Sequence, residues 1–152
     1  MFFVCDSMFG TLSRMLRMLG YDTLYIRDNE RLKLKDPNLL EGRTLITKDK
    51  RSKFATHDIF LLDEPSPEKQ LAILKEKFNL VPVNIFSICM ECNWPLDNVE
   101  KQDVYGKVPA RVFEAFNGFT QCGQCYRFYW PGTHYEAMTE KIKKAGFMFK
   151  LP

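Results

Sequence analysis

No apolar run in the sequence approaches the roughly 20 residues needed to cross a bilayer, which excludes a helical membrane span and leaves no membrane partner to expect. Its start lacks a basic segment. Met1-Phe2-Phe3-Val4-Cys5-Asp6 meets an acid at once, unlike a signal peptide, so a cytoplasmic location is expected, with the nucleus as the alternative. Internal repeats, low-complexity tracts and coiled-coil heptads are also missing. Neither sign of charge dominates: 22 Lys and Arg against 19 Asp and Glu leave +3, which suits ordinary solubility as well as a polyanion partner. Five cysteines without a signal peptide argue against a disulfide framework.

What is present is material for a core. With 45% hydrophobic residues and 13 Phe, the chain is too apolar to remain disordered, and 152 residues suit one domain or a small domain with an appendage. Residues 1–5 read as a buried strand, with Cys5 as a core thiol. From Ser7 the period changes, and Met8, Leu12, Met15, Leu16 and Leu19 fall on one helix face, with Ser7 as the expected cap and Gly20 as the stop. Residues 23–26, 44–47 and 59–62 read as further strands. Asp36-Pro37 and Ser66-Pro67-Glu68 read as helix starts. This alternation implies parallel pairing through right-handed crossovers, hence an α/β fold.

After Pro82 the pattern breaks into short strand-like pieces around two Cys pairs, ending in a basic helix over 135–144. Two units follow from this, 1–82 and 83–152.

In a parallel α/β sheet all strands end at one edge, where ligands bind. Four consecutive strands here run into acids: Asp6, Asp28, Asp49 and Asp63-Glu64. Grouped carboxylates call for compensation, and an all-oxygen set suits Mg²⁺ or Mn²⁺ acting on a phosphodiester. The competing reading makes each Asp a helix cap or turn former. Arg43, Lys48, Lys50, Arg51 and Lys53 crowd the stretch around Asp49, and Arg14 and Arg17 share the polar face of the first helix. Arg14, Arg17, Lys48, Lys50 and Arg51 are therefore candidate contacts to a nucleic-acid backbone.

Cys89-x-x-Cys92 and Cys122-x-x-Cys125 supply four thiolates in the spacing of a tetrahedral zinc ribbon, a closed and therefore structural site. The alternative is a redox dithiol, which normally comes singly and near the start of a βαβ unit. Residues 93–121 separate the pairs, more than the roughly 15–20 of the commonest pattern, and a loop over 95–117 is expected to absorb the excess. Trp94, Tyr126, Phe128 and Trp130 read as the small core of this ribbon, with base stacking as the alternative. His134 reads as a capping or packing residue, with an RNA contact or proton donation as the alternative, and His57 as a surface residue before the fourth strand.

Residues 3–23, the segment Gly42-Arg43-Thr44-Leu45-Ile46-Thr47-Lys48-Asp49-Lys50, both CxxC pairs and Tyr129-Trp130-Pro131-Gly132-Thr133-His134 together resemble the Mut-seven C-terminal family, a PIN-like ribonuclease domain followed by a zinc ribbon. The resemblance implies a PIN-like parallel sheet and metal-dependent RNA cleavage, with Asp6, Asp28 and Asp49 as catalytic metal ligands. Asp22 also lies in the matched segment but enters the second strand, so it is read as structural. Residues 29–41 are shorter than the family's equivalent, which carries a further acid; Glu30 and Asp36 are the acids available there. This departure sustains the alternative function, a catalytically degenerate RNA- or protein-binding module of a ribonucleoprotein complex.

Overall fold

Alternation within single strands sets the layers. The computed structural model describes residues 1–51, 53–56 and 58–150; His57 lies outside them. Strand β1 (Phe2–Cys5) turns Phe3 and Cys5 to one face and Val4 to the other, as the period of two requires. It is flanked by β2 (Thr23–Tyr25) and β3 (Arg43–Thr47), and β4 (Ile59–Leu61) completes a parallel sheet of order β2-β1-β3-β4. Helices α1 (Gly10–Met18) and α3 (Pro67–Phe78) cover the Phe3 face, where Leu12, Met15, Leu16, Leu71 and Leu74 are buried. The Val4 face is covered by a 3₁₀ segment, Asp28–Lys35, and the short α2 (Pro37–Leu40), which contribute Leu34 and Leu40.

The α/β class expected from the sequence is observed, with local corrections. The first helix opens with a 3₁₀ turn, and its cap is Asp6, whose carboxylate accepts the Ser7 N–H at 2.7 Å; Ser7 itself does not cap. Gly20 does stop α1, at φ +92°, and it is the residue required there because a Cβ would fall 2.6 Å from the backbone of Asn84. Asp36 and Ser66 cap α2 and α3 as expected.

The C-terminal half holds a second, antiparallel sheet. Its strands are β5 (Leu96–Val99), β6 (Phe119–Cys122) and β7 (Phe128–Tyr129), in the order β5-β6-β7. Between β5 and β6 lie α4 (Lys101–Val104) and α5 (Ala110–Ala115), so 95–117 is not the loop its length suggested. Val104, Val112 and Phe119 form a small core there, joined by Phe128 and Trp130, whereas Trp94 and Tyr126 are exposed and outside it. The final helix, α6 (Thr133–Lys144), returns to the first sheet and buries Met138 and Ile142 in the same core as Phe3 and Leu12. His134 is exposed in its first turn and neither caps nor packs. Among the described residues no helix is long and apolar enough to cross a membrane.

Candidate functional sites at opposite edges of the sheet

The carboxyl edge brings Asp6 and Asp49 together. Asp6 ends β1 fully buried, and its position is fixed three ways. Oδ1 accepts from the Ser7 N–H, while Oδ2 accepts from Thr47 Oγ1 at 2.7 Å and from Arg31 Nη2 at 3.0 Å. Asp49, two residues beyond β3, accepts the Arg51 N–H on Oδ1, and its Oδ2 also lies 3.0 Å from Arg31 Nη2. Thr47 Oγ1 in turn accepts the Asp49 N–H, so one hydroxyl registers both acids. A single guanidinium nitrogen thus bridges two carboxylates. Hydrogen bonding to Asp49, then the charges of Asp6 and Asp28, hold Arg31 even more firmly protonated than usual, although burial opposes this.

Asp28 opens the 3₁₀ segment at the same edge and is exposed. The acids that follow it, Glu30 within the segment and Asp36 just beyond it, are committed elsewhere. Glu30 pairs with Lys33 at 2.6 Å, and Asp36 caps α2. Among the described residues, the four cysteines are the one group of three or more metal-binding side chains close enough to share an ion, so Asp6, Asp28 and Asp49 do not close into a three-carboxylate site. Lys48, Lys50 and Arg51 are exposed on the loop carrying Asp49. A cleft of about 230 Å³ opens beside Arg31, lined also by Asp28, Lys35, Lys53 and Phe54. A larger groove, about 690 Å³, lies elsewhere, between the second sheet and the start of α6, and contains none of these acids.

Two of the expected RNA contacts are not at this edge. Arg17 is buried, donating from Nε to the Thr23 carbonyl at 2.8 Å and from Nη1 to the Met90 carbonyl at 2.7 Å. Arg14 pairs with Glu91 at 3.0 Å. Both face the first Cys pair, which covers the side of α1 that the apolar stripe leaves polar.

That pair meets the second at the far end of the molecule. The four Sγ atoms lie within 4.8 Å of one another, with Cys92–Cys122 at 3.3 Å and Cys89–Cys125 at 3.7 Å. Thiolates around a tetrahedral ion at about 2.3 Å stand about 3.8 Å apart, so the donor set and spacing fit zinc. The residue after each pair, Asn93 and Tyr126, adopts a left-handed φ of 64° and 61°, and the Gln124 and Cys125 N–H groups point at Cys122 Sγ. Asn93 links the knuckle to the first sheet: its Oδ1 accepts the Thr23 N–H at 2.8 Å, and its Nδ2 donates to Asp22 at 2.6 Å. Asp22 also takes a bidentate contact from Arg43, and it is structural as expected. Although burial opposes it, the Arg43 guanidinium and the Asn93 amide hold the Asp22 carboxyl below its usual range.

A parallel α/β sheet with acids at its carboxyl edge is thus joined at its amino edge to a cluster of four cysteines spaced to hold a metal ion. Residues 1–142 match the Mut7-C RNAse domain, and the chain belongs to that family. No curated protein and no solved structure gives a significant match. Sequence reasoning missed Arg31 and Thr47. Thr47 lay in the Thr-Lys-Asp segment that carried the family resemblance, while Arg31 had no local signal.

Proposed function

We propose that the protein is a metal-dependent ribonuclease whose site is the pair Asp6 and Asp49 at the carboxyl edge. The observation that carries this reading is the convergence of both carboxylates on one cationic point. Mg²⁺ and Mn²⁺ are commonly held by one or two carboxylates together with waters and substrate phosphate, so two acids and an open rim fit either ion. Bound there, the ion would supply an activated water and a stabilised leaving oxygen. Asp6 is the fixed ligand and Asp49 the second, with Asp28 on the rim. Lys48, Lys50 and Arg51 hold the RNA backbone, neutralising phosphates without reading sequence. The four cysteines hold a structural zinc, since four thiolates leave no open position.

A second reading has its own support. Arg31 already neutralises the acid pair, as in a binding module without turnover inside a ribonucleoprotein complex. The test is cleavage of labelled RNA by zinc-loaded protein with Mn²⁺ or Mg²⁺, beside EDTA, Asp6→Asn and Asp49→Asn. Asn keeps the cap that Asp6 provides, so the fold should hold. Cleavage that disappears in all three controls supports the nuclease. RNA bound with salt-sensitive affinity and never cut supports the binding module.

A further inference from the structure

We propose that Arg31 gates the acid site: in the free protein its guanidinium occupies the place of a metal ion between Asp6 and Asp49, and an RNA phosphate draws it off, so that RNA and divalent metal bind cooperatively. This rests on the reading that the acid pair receives a metal.

The competition follows from the contacts. Both Oδ2 atoms are aimed at one nitrogen at 3.0 Å. A second cation cannot enter that point while Arg31 holds it, because it would need the same two oxygens and like charges at such a distance repel. One partner must move, and the surroundings say which. Asp6 is fully buried and pinned by Ser7 and Thr47. The backbone near Arg31 is also pinned, through buried Leu34 and the bond from the Ala55 N–H to the Leu34 carbonyl. The Arg31 side chain, however, is 33% exposed, and a long side chain can swing on a fixed backbone.

A destination lies alongside. The cleft that Arg31 lines carries Lys35 and Lys53, and Asp28 lines it as well. A backbone phosphate in that cleft meets three bases, and a guanidinium pairs with a phosphate in a bidentate fork that the single nitrogen shared by two acids does not use. Substrate thereby offers Arg31 a better partner while exposing the acids. Linkage makes the effect reciprocal: whatever RNA does for metal affinity, metal does for RNA affinity.

The experiment is Mn²⁺ titration of the zinc-loaded full chain, with free Mn²⁺ read by electron paramagnetic resonance. It is run with and without a short 2′-O-methyl RNA whose integrity is checked on a gel. Wild type, Arg31→Met, Arg31→Lys and Asp6→Asn are compared. The wild-type affinity for Mn²⁺ should rise about tenfold or more when the oligonucleotide is added. Arg31→Met should bind Mn²⁺ about tenfold more tightly than wild type without RNA and gain little from it, while Arg31→Lys, which keeps the charge, stays near wild type. Equal Mn²⁺ affinity in wild type and Arg31→Met, unmoved by RNA but lost in Asp6→Asn, overturns the gate and leaves the metal site standing. Mn²⁺ binding no better than that of Asp6→Asn in every sample overturns both. Should Arg31→Met lose its zinc, the dependence of wild-type Mn²⁺ affinity on RNA decides alone.

Discussion

Arg17 separates a structural from an RNA-binding role most sharply, and Arg17→Met is the perturbation that does so. The side chain donates to two carbonyls, of Thr23 and Met90, at 2.8 and 2.7 Å. Hydrogen bonds from a charged donor contribute about 1.5–3 kcal/mol each, and stranding the carbonyl partners adds to the cost of losing them. Against this, burial of the guanidinium, which lowers its pKa from the ordinary value, is itself a penalty that Met removes. Met retains the packing of the aliphatic stem. The net loss comes to about 2–4 kcal/mol, or a fall of about 5–15 °C in Tm for a chain of this size.

Thermal and urea denaturation with zinc present measure that loss directly. Arg17→Lys should fall between wild type and Met, because a point charge cannot span two carbonyls as a fork does. Zinc release to a chelator should be faster in both variants, since Met90 lies inside the Cys89–Cys92 knuckle. RNA affinity, measured well below either melting transition, should keep its value and its salt slope, as a buried guanidinium neutralises no phosphate. Full stability in Arg17→Met would refute the structural assignment. So would a reduced salt slope for RNA at unchanged stability, which would restore Arg17 to the binding surface.

Two further outcomes test the same edge. Cys122→Ser should reduce zinc by elemental analysis from one ion per chain to near none and lower Tm, and zinc-free wild type with unchanged melting would show that the ribbon braces nothing. Asp22 has a folded pKa below its unfolded value, so its contribution is fully present above the unfolded pKa of about 4 and is lost as pH falls through the folded one. The Tm gap between wild type and Asp22→Asn should therefore be widest near neutrality and close below about pH 4; a gap independent of pH would mean that the Arg43 pairing does not stabilise the fold.

Elements with a strong local period were legible in the sequence. The switch from alternation in residues 1–5 to a helical stripe after Ser7 gave the first βα unit, and the capping pairs Asp36-Pro37 and Ser66-Pro67 marked α2 and α3. The two CxxC pairs announced their cluster because the ligand geometry is carried by the spacing itself. Features created by distant segments were not legible. The polar face of α1 read as a contact surface for nucleic acid because nothing near it in sequence shows that residues 90 and 91 engage it. β5 was hidden because its exposed Asp97 and Asn98 are poor strand formers, held in place by pairing with β6. Arg31 lay in a polar stretch with little amphipathic pattern, and its meaning arises only where β1, β3 and the 3₁₀ segment meet.

The two clusters are joined by one strand. β2 is an edge strand, and an open edge needs cover. Here both backbone groups of Thr23 bond to the knuckle side, its N–H to Asn93 and its carbonyl to Arg17, which also holds Met90. Two residues further on, β2 ends at Tyr25 and feeds directly into the segment that carries Asp28 and Arg31. Three residues of strand span only about 10 Å, so an edge strand set at its amino end is set at its carboxyl end as well. The ribbon thus bears on the acid site by fixing the strand from which the Arg31 segment departs, without contributing a ligand to it. A shift of β2 against β1 would move Arg31 relative to Asp6, which hangs on β1, and the bridge between Asp6 and Asp49 depends on that register.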